Sequence, residues 1–266
     1  MNAMGRKKIK TAKRHPLLRS KKMSQGHYSR APLTEALIDI RVELPGEVTL
    51  ANLSKVHVGQ EDDYPRCEKT IVVHGKMSVG AEVGASATQT PNGYRFVSKD
   101  ERQIFQARLD GFTFNRLAPY ERWESFRDEA RRLWSSYRSI ASPKNITRIA
   151  VRYINRLDLP LPLKDFKDYL RTVPEISPKM KQGLSGYFMQ LQVPQEDLGA
   201  MLILNQTLIP PPAPNLVSVV LDIDLFCEGN VPSEDQQLWD RFEQLRMRKN
   251  EIFEACITDR IRRMIA

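Results

Sequence analysis

Trp123-Glu124-Ser125-Phe126 and Trp239-Asp240-Arg241-Phe242 decide how this chain is read, because the same aromatic pair recurs with an offset of 116 residues. Asp110 and Asp222 lie 112 apart, and the strand-like runs ending Glu43-Leu44-Pro45 and Asp158-Leu159-Pro160 lie 115 apart. Markers agreeing to within four residues point to a duplicated unit. In the first copy, Trp123, Phe126, Ala130, Leu133, Trp134 and Tyr137 fall on one helical stripe. The run from Tyr120 to Ile140 therefore reads as an amphipathic helix of about five turns.

Upstream of that helix, Ala36, Ile38, Ile40, Val42 and Leu44 alternate with Glu35, Leu37, Asp39, Arg41 and Glu43, the pattern of a half-buried strand. A short helix over Thr49 to Lys55 follows. Lys69 to His74, Tyr94 to Ser98 and Gln103 to Phe114 read as antiparallel strands, with a turn at Pro91-Asn92-Gly93. The second copy repeats the order. It has a strand marked by Ile149, Val151, Tyr153 and Leu157, a short helix over Leu163 to Leu170, and strands over Tyr187–Val193, Met201–Leu208 and Leu216–Phe226. Pro210-Pro211-Pro212-Ala213-Pro214 can only be a loop. From about Ser233 a long helix turns Leu238, Phe242, Leu245, Ile252, Cys256 and Ile261 inward. The expected fold class is α+β: a duplicated strand, short helix, antiparallel strands, long helix unit whose sheets fuse, with the long helices on one face. The expected divisions are a basic disordered tail over 1–30, a first repeat over 31–145 and a second over 146–266.

The net charge of +9 belongs to the N-terminal tail. Residues 1–30 hold ten Lys or Arg and no acid, so the body has 31 basic against 32 acidic residues. Such a tail binds polyanions without sequence preference through counterion release. Met23 is an alternative start that would remove nine of the ten. With no apolar run of roughly 18–20 residues and no signal-like leader, the expected location is cytoplasmic, with no membrane partner. Cys67, Cys227 and Cys256 read as buried thiols.

Arginine and carboxylate residues form the main polar pattern. Glu35, Asp39 and Glu43 share one face of the first strand, and Arg148, Arg152 and Arg156 share one face of its counterpart, each set stepping about 13 Å. Antiparallel pairing with Glu43 opposite Arg148, Asp39 opposite Arg152 and Glu35 opposite Arg156 would make a cross-strand charge ladder. The functional alternative has these arginines, with Arg41, Arg116 and Asn115, lining the open sheet face to receive an anion, since a guanidinium bonds carboxylate or phosphate bidentately. Tyr94 and Phe96 alternating with Arg95 weakly echo RNA-binding sheets. Trp123, Trp134 and Trp239 read as core. His57 and His74 have no ligand-spaced partner, and Gly75 to Gly80 lacks the Lys and Ser/Thr of a phosphate loop, so no metal or other cofactor is expected.

The element order resembles the saddle of the TATA-box-binding protein and, less closely, the helix-grip fold. Pro32 with Glu35-Ala36-Leu37, Gly93-Tyr94-Arg95-Phe96, Phe114-Asn115-Arg116-Leu117-Ala118-Pro119-Tyr120 with Trp123, and Arg148-Ile149-Ala150-Val151-Arg152-Tyr153-Ile154-Asn155 resemble a sporadically distributed family of uncharacterised prokaryotic proteins. That resemblance covers roughly residues 31 to 175. It implies carriage on accessory or mobile loci and brings no activity with it. The expected function is a non-catalytic binding module for a protein partner or an anionic ligand. The alternatives are a nucleic-acid binder using the tail and the arginine strand, and a small-ligand enzyme of helix-grip type. The sequence leaves the oligomeric state open.

Overall fold

The computed structural model describes residues 28–78, 84–181 and 183–266. Most of the basic tail and the Met23 start lie outside the described residues, as does part of the stretch from Gly75 to Gly80. Residues 28–30 are packed. The Tyr28 hydroxyl donates to Glu254 at 2.5 Å, and the Arg30 N–H donates to the Ile265 carbonyl at 3.0 Å.

Residues of alternating polarity give strands because successive side chains point to opposite faces. The chain forms β1 (Leu33–Glu43), α1 (Leu50–Leu53), β2 (Arg66–Ser78), β3 (Gly84–Val97), β4 (Gln103–Arg108), β5 (Gly111–Leu117) and α2 (Trp123–Ala141). These are followed by β6 (Asn145–Pro160), β7 (Phe188–Gln195), β8 (Ala200–Ile209), β9 (Leu216–Glu228), α3 (Asp235–Cys256) and α4 (Asp259–Ile265). The nine strands make one antiparallel sheet in the order β2-β3-β4-β5-β1-β6-β9-β8-β7. β1 and β6 pair in the interior of the sheet and join the elements β1 to α2 to the elements β6 to α4.

One sheet face is covered. Ala36, Ile38 and Ile40 of β1, Phe112 and Phe114 of β5, and Ile149, Val151 and Tyr153 of β6 are buried on it. α2 packs there through Trp134 against Phe112, with ring centroids 5.9 Å apart, and through Phe126 stacked on Phe114 at 5.3 Å. α3 lies on the same face through Leu238, Phe242, Leu245 and Ile252. Burying side chains of this size contributes on the order of 1.5–3 kcal/mol each. The two helices run antiparallel: Trp123 at the start of α2 donates its indole N–H to Glu243, and Arg131 further along pairs with Asp235 near the start of α3.

Several local expectations are corrected. Gln103 to Phe114 is a hairpin, turning at Leu109-Asp110 with Arg108 opposite Gly111. A Cβ on Gly111 would meet the Ile40 carbonyl at 2.3 Å, so only glycine fits between β5 and β1. Asp110 thus lies in a turn while Asp222 lies within β9, and the two are not equivalent markers. Pro91-Asn92-Gly93 is not a turn but part of β3, where Asn92 is the extra residue of a bulge facing Thr70 and Ile71. Only Phe166–Asp168 of the short helix expected over Leu163 to Leu170 forms, as one 3-10 turn. The last helix is broken at Ile257, which is extended, and Thr258 caps α4, so Ile261 is buried from a separate helix. Cys67 is exposed, whereas Cys227 and Cys256 are buried. Tyr94 and Phe96 sit on the covered face, with Phe96 stacked on Phe105 at 4.5 Å, so they offer no platform for bases.

Candidate functional site

The opposite face, which no helix among the described residues covers, carries charge where the first carries apolar side chains. β1 and β6 are antiparallel as expected, but their register is two residues from the ladder: Arg41 faces Arg148, Asp39 faces Ala150 and Leu37 faces Arg152. A slip of two keeps every side chain on its face and changes only its partner. None of the three expected rungs is a salt bridge.

Asp39 instead binds several partners. Its Oδ2 accepts from Arg41 Nε at 2.9 Å and Arg148 at 3.2 Å, and its Oδ1 accepts from Arg108 at 3.1 Å and the Thr113 hydroxyl at 2.7 Å. Arg41 also reaches Asp110, and Arg108 Nε donates to Asp110 at 3.1 Å. Burial pushes the Asp110 carboxyl up, but Arg108 and Arg41 outweigh it and hold it below its ordinary value. Arg152 makes a bidentate pair with Asp222, at 2.8 and 2.7 Å, and these bonds hold its guanidinium charged. Arg148 spans to Asp224 at 3.4 Å and lies over the Phe226 ring, 4.3 Å from its centroid.

Between these groups lies a concavity of about 370 Å³ lined by Leu37, Asp39, Arg41, Arg148, Ala150, Arg152 and Asp224. Arg41 and Arg152 keep 39% and 41% of their side-chain surface exposed, so each guanidinium has an edge free for a ligand. Asp224 Oδ1 is buried without a hydrogen-bond partner. Burial raises the Asp224 carboxyl above its usual range despite Arg148 and Arg152, and Asp222 and Asp39 push it the same way. The concavity therefore offers guanidinium donors beside a carboxylate whose buried oxygen lacks a donor.

Of the six expected ligand-binding residues, Arg41, Arg148 and Arg152 meet here. Asn115 is beside Leu37 on the same face, where its Nδ2 donates to Glu35 at 2.5 Å and its buried Oδ1 has no partner. Arg156 lies four residues further along β6, bonded to Asp158 at 2.9 Å and Ser218 at 3.3 Å. Arg116 is a correction. It pairs with Ala36, a residue of the covered face, and lies near Glu121 at 3.7 Å and Asp100 at 4.0 Å. Sequence reading missed Arg108 and Asp224, although both follow the strand alternation once the β4–β5 turn is placed.

It also missed Lys249. The inward stripe of α3 runs Leu238, Phe242, Leu245, Lys249, Ile252 and Cys256, in steps of four and three, and Lys249 is its one charged member. Comparison with known families finds no matching family model, and no curated protein matches the chain.

Proposed function

We propose that the protein is a non-catalytic binding module that takes an anionic group into the concavity on the uncovered sheet face. The reading is carried by three guanidiniums, Arg41, Arg148 and Arg152, around one concavity with two aspartates. Arg41 and Arg148 stand directly opposite across β1 and β6, a like-charge pair that Asp39 bridges and an incoming anion would relieve further. Leu37 and Ala150 give the hollow an apolar patch. The nearby aspartates absorb much of the field, so selectivity comes from geometry and the expected affinity is modest.

The test is calorimetric titration with inorganic phosphate and with citrate, using the full chain, the form beginning at Met23, and the Arg41→Gln/Arg152→Gln double variant. Binding retained from Met23 and lost in the double variant supports this reading. Anion binding unaffected by the double variant overturns it. DNA or RNA binding that disappears in the Met23 form would belong to the basic tail instead of the sheet.

A further inference from the structure

The nine-stranded sheet ends on β2 at one edge and on β7 at the other. An edge strand presents a row of unpaired N–H and C=O groups, which proteins commonly guard with charge. β2 has such a guard: Arg66, Glu68 and Lys69 are exposed on it, and Glu68 pairs with Arg66 at 3.2 Å and with Arg95 at 2.8 Å. β7 lacks one. In a chain that is 27% charged, no Lys, Arg, Asp or Glu stands between Lys181 and Glu196, while Phe188 and Val193 of β7 keep 68% and 40% of their surface exposed.

The register of β7 on β8 shows which of its backbone groups face outward. Phe188 pairs with Thr207, so Tyr187 stands opposite Leu208, and the Leu208 N–H donates to the Tyr187 carbonyl at 3.3 Å. Hydrogen-bonded positions alternate along an antiparallel strand, so Met189, Leu191 and Val193 turn their backbone groups to β8. Phe188, Gln190 and Gln192 turn theirs away from the sheet, and among the described residues no strand or loop backbone bonds to them. The side chains of Met189, Leu191 and Val193 share the face of Gln206, Leu204 and Leu202, and those of Gln190 and Gln192 share the face of Asn205 and Ile203. The run Met189-Gln190-Leu191-Gln192-Val193 has the same order of polarity from either end.

We propose that β7 is a homodimer interface, pairing antiparallel with β7 of a second copy about a two-fold axis through Leu191. In that register Gln190 stands opposite the partner's Gln192 and exchanges both backbone hydrogen bonds with it, and symmetry repeats the exchange. Met189 meets the partner's Val193, and the two Leu191 side chains meet at the closer, non-hydrogen-bonded spacing. A slip of two residues one way sets Gln190 against Pro194, which has no N–H to donate, and the other way sets Phe188 against a glutamine. The second copy is the occupant because this uncharged run complements itself, as an isologous interface requires. Pairing β7 with β2 would build an open filament and set it against Arg66, Glu68 and Lys69. The two-fold axis is perpendicular to the sheet, so both arginine concavities face the same side, and the pairing does not depend on anion binding. The eight residues of β7 span only about 27 Å, a smaller contact than a permanent dimer makes, so the association is reversible.

The experiment is sedimentation velocity on the full chain across the micromolar range. The expected result is a dimer fraction that rises with concentration. Gln190→Pro removes an outward N–H and leaves the ladder to β8 intact, so it should weaken association at least about tenfold, with folding checked by circular dichroism. Gln190→Lys combined with Gln192→Lys sets like charges opposite one another without touching the backbone and should do the same. In a Cys67→Ser background, Leu191→Cys should give a disulfide-linked dimer under mild oxidation, because the axis brings the two Cβ atoms within reach. Val193→Cys, displaced from the axis, should give about tenfold less. A chain that stays monomeric at every concentration overturns the proposal and leaves the edge to a foreign strand. A dimer that neither glutamine variant weakens and that Leu191→Cys does not cross-link overturns it too, by placing the contact elsewhere.

Discussion

α2 and α3 cover the same sheet face, yet they are built to different rules. α2 buries Trp123, Phe126, Ala130, Leu133, Trp134, Tyr137 and Ala141 without a break. α3 interrupts its stripe with Lys249, and nothing apolar is buried between Leu245 and Ile252. The uncovered face shows a parallel asymmetry. In the first half the buried Asp39 binds Arg41, Arg108 and Arg148, whereas in the second half Asp222, equally buried, serves Arg152 and Asn205, and Arg152 keeps 41% of its side-chain surface exposed. In each pair one member is closed by its partners, and the other keeps a charged group, the Lys249 amine or the Arg152 guanidinium, with fewer of them.

Asp39→Ala tests this contrast most severely. It leaves Arg108, itself only 10% exposed, with Asp110 as its remaining carboxylate, and strips Arg148 and Arg41 of a shared partner. The expected loss is about 3–5 kcal/mol in urea unfolding, against about 1–2 kcal/mol for Asp222→Ala, where the freed Arg152 can hydrate. Equal losses would break the comparison.

Leu133→Ala in α2 should cost about 3 kcal/mol through the cavity it opens. Lys249→Leu in α3 should have the opposite sign, stabilising by about 1–3 kcal/mol at pH 7. The folded amine titrates at about 7 and an unfolded lysine near 10.4, so the unfolded chain binds more protons between those values. Native stability contributed by this group therefore rises across that window. The advantage of Lys249→Leu should be full at and below pH 7 and should shrink towards pH 10. Thermal melts at pH 6, 8 and 10 measure it, and a pH-independent difference would mean that Lys249 stays protonated in the fold.

Asp224→Asn should have a smaller effect, stabilising by about 0.5–1 kcal/mol at pH 7. Its folded carboxyl is raised, so the penalty of ionising it builds as pH rises from the unfolded value through the folded one, and the advantage of asparagine should vanish in acid. Smallest is Arg156→Ala, which removes a partly exposed pair with Asp158 outside the concavity. It should cost less than about 1 kcal/mol and leave phosphate binding unchanged.

The alternation in β1 and β6 and the stripe in α2 were legible because each depends on neighbours within one element. The same local rule would have flagged Lys249, whose spacing from Leu245 and Ile252 is that of a core residue. The hairpin at Leu109-Asp110-Gly111 was equally available from its Asp-Gly pair, and missing it placed Asp110 on a strand. Arg116 was assigned to the open face because its covered partner Ala36 lies 80 residues away and their pairing is set by β1–β5 register.

The sequence by itself determined the α+β class, the alternation of β1 and β6 and their antiparallel junction, and the buried stripe of α2, since these follow from periodicity along the chain. Tertiary structure alone decided which carboxylate meets which arginine. Register can shift by two residues without moving any side chain between faces, so hydrophobic pattern is blind to it, and the arrangement of turns, bulges and packing across both halves selects the value. That shift turned an expected ladder of separate pairs into a cluster around Asp39, and placed Arg41, Arg148 and Arg152 around one hollow.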